Sequence, residues 1–270
     1  MEPQAYSELY RLEPFHWWYR GMRQITEQLL QLYLDTVQDL KILDAGCGAG
    51  GNLSALSRFG DAYGFDFSPL ALSYSSVNHR GKLARATIEA LPYSSNAFDL
   101  VTSFDVMVCY EVEDDVAALR EIARVTRPGG YVLIRVAAHE LLRGPHDQIV
   151  HAVRRYTANE LRQKMEEAGL IPLKTAYANS VLMPFIFIIR RLQTLGVSLG
   201  GRPRSDVNPT PGAVNNLLAG ILNLEAQWLG RGHNFPAGVS LFGLATKPNS
   251  NGESHNGKHQ TKHQRVLPSV

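Results

Sequence analysis

Between Ala138 and Tyr156 the chain reads AHELLRGPHDQIVHAVRRY, which places three histidines, His139, His146 and His151, beside Asp147 and the pair Arg154-Arg155. A histidine within hydrogen-bond reach of a hydroxyl can take its proton near neutral pH, and an adjacent carboxylate can hold the imidazole in the right tautomer. On that reading His151 is the first candidate for a general base, His146 the second, and Asp147 the orienting acid. Metal binding is the weaker use of the same residues, because no cysteine or second carboxylate joins them at a familiar spacing. The plain alternative is a solvated surface loop whose histidines and arginines make local ion pairs.

A second stretch is built for a ligand rather than for proton transfer. Lys41 to Gly51 reads KILDAGCGAGG: an apolar strand ends in Asp44, and the chain turns through Gly46, Gly48, Gly50 and Gly51 before Leu53, Leu56 and Phe59 recur at helical spacing. Glycines between a strand and a helix start let the backbone approach a nucleotide-like ligand closely. Another short strand ends at Asp66 in YGFDFSP, about 20 residues on, the separation expected of an acid that accepts hydrogen bonds from ribose hydroxyls.

Together, LDAGCGAG and GFDFSP resemble motif I and the acidic second-strand motif of the class I S-adenosylmethionine (SAM)-dependent methyltransferases. A nicotinamide-binding Rossmann protein is the competing reading, and it would more usually lack the acid that stands here at Asp44. The segment LREIARVTRPGGYVLI also resembles the stretch after the fourth strand in this family, so the likeness covers roughly residues 41 to 177.

The resemblance implies an α/β fold: a Rossmann-like, doubly wound seven-stranded sheet, mostly parallel with the last strand antiparallel, plus a helical cap. It implies SAM as cofactor and S-adenosylhomocysteine (SAH) as product. Cofactor contacts fall on Asp44, Gly46, Cys47, Gly48 and Gly50, on Asp66 and Phe67, on Thr87, Ile88 and Glu89, and on Phe104. Two departures stand out. Ala86-Thr87 replaces a Gly-Asp pair, so Thr87 or Glu89 must serve the adenine. Met107-Val108-Cys109-Tyr110 replaces a common Leu-Glu-His, so Met107 and Tyr110 face the acceptor with different chemistry. Cys109 reads as a small buried apolar residue rather than a nucleophile.

His16-Trp17-Trp18-Tyr19-Arg20-Gly21 precedes the sheet, and a similar His-Trp-Trp run marks a bacterial subgroup of the family. Its residues read either as a staple to the core or as a lid, with Trp17 and Tyr19 at the substrate and Arg20 near the methionine carboxylate. The His-Asp…His-x-Arg-Arg-Tyr-Thr pattern recurs in the same subgroup, which adds His139, Arg155 and Tyr156 to the acceptor side.

The elements that position these residues follow from patterning. Residues 5 to 36 read as helical, with Met22, Ile25, Leu29 and Leu32 forming one apolar stripe. Strands are expected at Leu83 to Ile88, Ala97 to Val108, Tyr131 to Val136, 171 to 178 and Val239 to Thr246. Helices are expected over 69 to 78 and Glu113 to Thr126, and after the capping box Thr157 to Glu160. The organisation is then a lid at 1–36, a SAM-binding core at 37–178, a helical insert at 179–238, a last core strand at 239–247 and a disordered tail at 248–270. The insert reads as a cap over an apolar pocket, with a homodimer or membrane-surface contact as its other uses.

Apolar residues make up 44% of the 270, enough for a full core, and 27 basic against 25 acidic residues leave a charge of +2. Nothing in that balance asks for nucleic acid. The two cysteines suit a reduced, cytoplasmic setting, the N-terminus lacks a signal-peptide pattern, and no apolar run reaches the ~20 residues of a membrane span. The expectation is a methyltransferase of small-molecule biosynthesis acting on a small, partly apolar acceptor, with oxygen favoured over nitrogen or carbon. Its alternatives are a SAM-binding cyclase, a non-catalytic SAM-binding subunit and a nicotinamide dehydrogenase.

Overall fold

The computed structural model describes residues 3–34, 39–194 and 209–249. Seven strands form a single sheet in the order β3-β2-β1-β4-β5-β7-β6. They are β1 (Leu40–Ala45), β2 (Gly60–Asp66), β3 (Leu83–Arg85), β4 (Phe98–Phe104), β5 (Thr126–Ala137), β6 (Ile171–Ala178) and β7 (Ser240–Thr246). β7 runs antiparallel between β5 and β6, while β1 pairs in parallel with both β2 and β4. Strand order therefore reverses between β1 and β4, and in open α/β sheets the crevice at such a point is where ligands bind.

Helices cover both faces. On one face, α5 (Asp115–Val125) and α7 (Ala158–Glu167) bury Leu119, Ile122, Leu161 and Met165 against Val101 and Ile134. α5 starts after Asp114, whose carboxylate accepts from the amides of Val116 and Ala117, and α7 has the reciprocal Thr157–Glu160 capping box. On the other face, α2 (Trp17–Leu34) and α9 (Gly212–Gly230) lie together on the sheet with α3 (Gly51–Leu56). Leu222, Ala226 and Leu229 meet Ile25 and Leu29 there, and each fully buried aliphatic side chain contributes about 1.5–3 kcal/mol.

Within the 179–238 insert, α9 packs as a layer of the fold, its buried stripe matching that of α2, and α8 (Met183–Thr194) brings Ile186, Ile189 and Arg190 to the crevice. Glu225 of α9 accepts from the amides of Ser180 (2.5 Å) and Val181 (3.0 Å) and so ties the start of the insert to the sheet. Residues 195–208 of the insert and the tail from residue 250 lie outside the described residues.

Several boundaries differ from expectation for local reasons. The helical stretch over 5 to 36 divides into α1 (Pro3–Leu12) and α2, because Pro14 cannot donate and disfavours helix at Glu13. The strand expected to run to Val108 stops at Phe104, where Asp105 takes a left-handed φ of 59°. The third strand ends at Arg85 and gives way to a turn bridged by Thr87 and Ala90. Arg127 to Gly130 bulge within β5 instead of preceding it, since Thr126 already pairs with Phe98.

Candidate active site

The glycine stretch adopts the backbone its composition allows. Gly46, Gly48 and Gly50 have φ of 85°, 54° and 91°, values that L side chains rarely tolerate. A Cβ on Gly46 would lie 2.2 Å from Val106 Cγ2, so the loop passes directly beneath the end of β4. The amides of Gly46 and Cys47 both donate to Phe65 O, which joins the loop to β2. Asp66, at the end of β2, accepts from Gly48 N at 2.9 Å and Ser68 N at 2.8 Å. Behind the loop, Asp44 accepts from Thr102 Oγ1 at 2.8 Å while its Oδ2 has no partner, and burial pushes its carboxyl up to about 7.

Above the loop opens a cavity of about 780 Å³. At one end stand Asp66, Phe67, Thr87 and Ile88, with the Phe67 ring 56% exposed. At the other end are Val106, Val108, Ile149, Val150, Ile186 and Ile189, with His146, Arg155, Asn179 and Arg190 among them. Between the two ends, Arg135 holds Asp105 through Nε (2.9 Å) and Nη2 (2.7 Å), and its guanidinium lies 4.9 Å from the Trp18 ring and 5.0 Å from that of Phe104. The amino-terminal segment closes this side through Tyr6, Glu13, His16, Trp17, Trp18 and Tyr19. The backbone of Trp17 donates to Asn215 Oδ1, so α9 fixes the start of α2.

Gly46, Cys47, Gly48, Asp66, Phe67, Thr87, Ile88, Glu89 and Phe104 line the cavity, as do Trp17, Tyr19, Tyr110, His146, Asp147 and Arg155. Glu89 is already engaged, accepting from the amides of Glu113 (2.9 Å) and Asp114 (2.8 Å) ahead of α5. Asp147 is buried in an ion pair with Arg155 at 2.6 Å and accepts from Gly144 N at 2.7 Å.

The remaining candidates lie elsewhere. Asp44 is behind the loop. Gly50 and Arg20 line a separate outer cleft of about 700 Å³, where Arg20 Nη1 reaches Asn216 Oδ1 at 3.3 Å. His151 is set outside the cavity wall by its left-handed φ of 59°, with Nδ1 3.1 Å from Glu111 and its ring 4.9 Å from that of Tyr110. His139 stacks on Tyr177 at 4.9 Å. Tyr156 donates from its hydroxyl to Asp115 at 2.7 Å beneath the loop, and Met107 is buried in the core.

Asp105, Arg135, Glu13, Trp18, Asn179 and Arg190 are cavity residues that the sequence reading did not select. The lone arginine inside the apolar strand YVLIRVA was a usable signal, since a charge buried in a strand needs a partner. Cys109 also lines the cavity, and burial pushes its thiol up to about 12. That makes it unreactive at neutral pH and agrees with the apolar reading.

A seven-stranded sheet with one antiparallel strand, a glycine loop after β1 and an acid at the end of β2 are features found together in class I SAM-dependent methyltransferase domains. Residues 43–134 match the family of that description, the methyltransferase domain. The chain is 31% identical over 121 residues to a malonyl-[acyl-carrier protein] O-methyltransferase of Buchnera aphidicola, covering 44% of this chain and 48% of that protein. It is 33% identical over 139 residues to the methyltransferase GfsG of Streptomyces halstedii, covering 48% of each. The matches thus span about half the length of these curated relatives. Among solved structures, the [4+2]-cyclase SpnF aligns with a TM-score of 0.54 at 18% identity, over 84% of this chain and 82% of that one, a likeness of fold.

SAM is the cofactor of this domain class, and the site fits it. Gly46, Cys47 and Gly48 line the cavity and bring backbone to its surface. Asp66 presents a carboxylate at the cavity edge, and an exposed aromatic face stands beside it at Phe67. No helix among the described residues is long and apolar enough to cross a membrane.

Proposed function

We propose that the protein transfers a methyl group from SAM to an oxygen of a small, partly apolar acceptor. The observation that carries this reading is the continuity of the cavity, from Asp66 and the glycine loop to a wall of Val106, Val108, Ile149 and Ile186 that includes His146. The first end suits a nucleoside: Asp66 accepts from the ribose hydroxyls, while Phe67 and Ile88 cover the adenine, with Thr87 at its edge. The second end suits an acceptor whose body is apolar and whose reacting group is polar.

The cofactor supplies a methyl group on a sulfonium, so the reaction is a direct displacement in which the acceptor oxygen gains the methyl carbon and the sulfur keeps the bonding pair. The protein must align acceptor and donor and exclude water. The aromatic segment from His16 to Tyr19 serves the second need. His146 takes the hydroxyl proton and later returns it to solvent, in place of His151, whose ring is turned toward Glu111. The O-methyltransferase among the curated relatives supports oxygen as the accepting atom.

The test is a search for acceptors among hydroxyl- and carboxyl-bearing apolar compounds, followed by SAH release and by mass spectrometry of the product. One SAH per methylated product is expected. Conversion of an acceptor without SAH release would instead identify a cyclase, and SAM binding with no turnover on any acceptor would favour a regulatory subunit.

A further inference from the structure

The break between α1 and α2 carries a carboxylate into the site. Glu13 is only 7% exposed and forms part of the wall between the main cavity and the outer cleft. Its carboxylate lies against the glycine loop: a Cβ on Gly51 would fall 2.1 Å from Glu13 Cδ, so a side chain there would push the Glu13 carboxylate aside. It accepts from the Gly51 backbone, and Arg23 Nη2 donates to the Glu13 carbonyl oxygen at 2.8 Å, fixing the main chain at the bend.

The charges around it are unevenly satisfied. Asp105 is held by both donors of Arg135, and Asp66 is held by two amides. Asp44 has one unpartnered oxygen. Of these carboxylates, those of Glu13, Asp66 and Asp105 line the cavity, where the guanidinium of Arg135 is paired to Asp105. Such a lining favours a cation. Burial raises the Glu13 carboxyl above its ordinary value, with Arg23 opposing, and a desolvated acid gains most from a positive partner brought to it.

We infer that Glu13 is the ligand for the α-ammonium group of the cofactor's methionine end, an assignment that rests on the proposed SAM-dependent transfer. A carboxylate here repels the cofactor's own carboxylate and attracts its amine. Glu13 lies three residues before the aromatic segment, whose Arg20 lines the outer cleft.

The experiment is calorimetric titration of the full chain with three ligands: SAH, SAH lacking its α-amino group, and 5′-methylthioadenosine, which keeps the nucleoside and lacks the amino acid altogether. A charge-assisted contact predicts that the deaminated compound binds at least about tenfold more weakly than SAH. Glu13→Gln should weaken SAH by a similar factor and leave methylthioadenosine within about twofold. Equal affinity of the unaltered chain for SAH and its deaminated form overturns the assignment, whatever the variant does. A Glu13→Gln protein that loses SAH and methylthioadenosine alike, or neither, also overturns it, the former making Glu13 a support of the loop. In all these outcomes SAH still binds the unaltered chain, so the methyltransferase reading stands; failure to bind any of the three ligands removes both.

Discussion

Gly48 and Asp66, 18 residues apart, are joined by a hydrogen bond of 2.9 Å from the loop amide to the carboxylate Oδ2. One acid thereby fixes the glycine loop and remains at the edge of the cavity where a ribose would lie. Asp66→Ala leaves the amides of Gly48 and Ser68 without their acceptor, at a cost of about 1–3 kcal/mol for each that stays dry. The expected outcome is a loss of SAH affinity of more than about tenfold, by calorimetry, with a moderate fall in denaturation midpoint.

The two loop histidines separate cleanly in kinetics. His146 lines the cavity, whereas His151 lies outside the wall beside Glu111. With the true acceptor, His146→Ala should lower kcat by about 10²-fold or more, the scale of general acid–base catalysis. His151→Ala should change it by no more than about threefold. Both should leave SAH affinity intact, and the reverse ranking would return the base to His151.

Why the sequence ranked these histidines the other way is a matter of local backbone. His151 owes its direction to a left-handed φ, and His146 owes its place to α6 (Pro145–Ile149), five residues that carry no periodic signal. The cofactor end was legible because KILDAGCGAGG and GFDFSP fix both conformation and spacing within a short stretch. Asp105 with Arg135, and Glu13 with Gly51, were not, since each pair meets only after strands or helices distant in sequence pack together. The stripe on α9 announced a helix correctly but not its destination, because an apolar face does not specify which surface covers it.

Asp44 predicts a pH dependence. Burial pushes its carboxyl from an ordinary 3.8 to about 7, against the Thr102 hydroxyl. Between these values the folded chain holds a proton that the unfolded chain has lost, so this group makes stability fall as pH rises from about 4 to about 7 and leaves it level above. In ligand-free protein, Asp44→Asn removes that titration. Denaturant unfolding at about pH 5 and about pH 8 should show a smaller loss of stability for the variant than for the unaltered chain.

The packing of α9 as a layer of the fold can be tested at Gly21. A Cβ there would sit 2.2 Å from Leu222 Cδ1 and 2.5 Å from Leu222 Cβ. Gly21→Ala gains a little helix propensity and must still move the two helices apart, for a net cost of about 1–3 kcal/mol. Gly220, on α9 with nothing within 4 Å of its Cβ position, serves as the control. Gly220→Ala should be neutral or stabilising in the same denaturation assay.

The central claim, that the glycine loop and Asp66 form a SAM site, is tested most directly by the thermal stability of the purified chain with SAM, SAH, NAD or no ligand. A ligand at 100 times its dissociation constant adds about 2.7 kcal/mol. The account predicts a raised melting temperature with SAM and SAH, none with NAD, and loss of the SAH effect in Asp66→Ala. Stabilisation by NAD alone would contradict it.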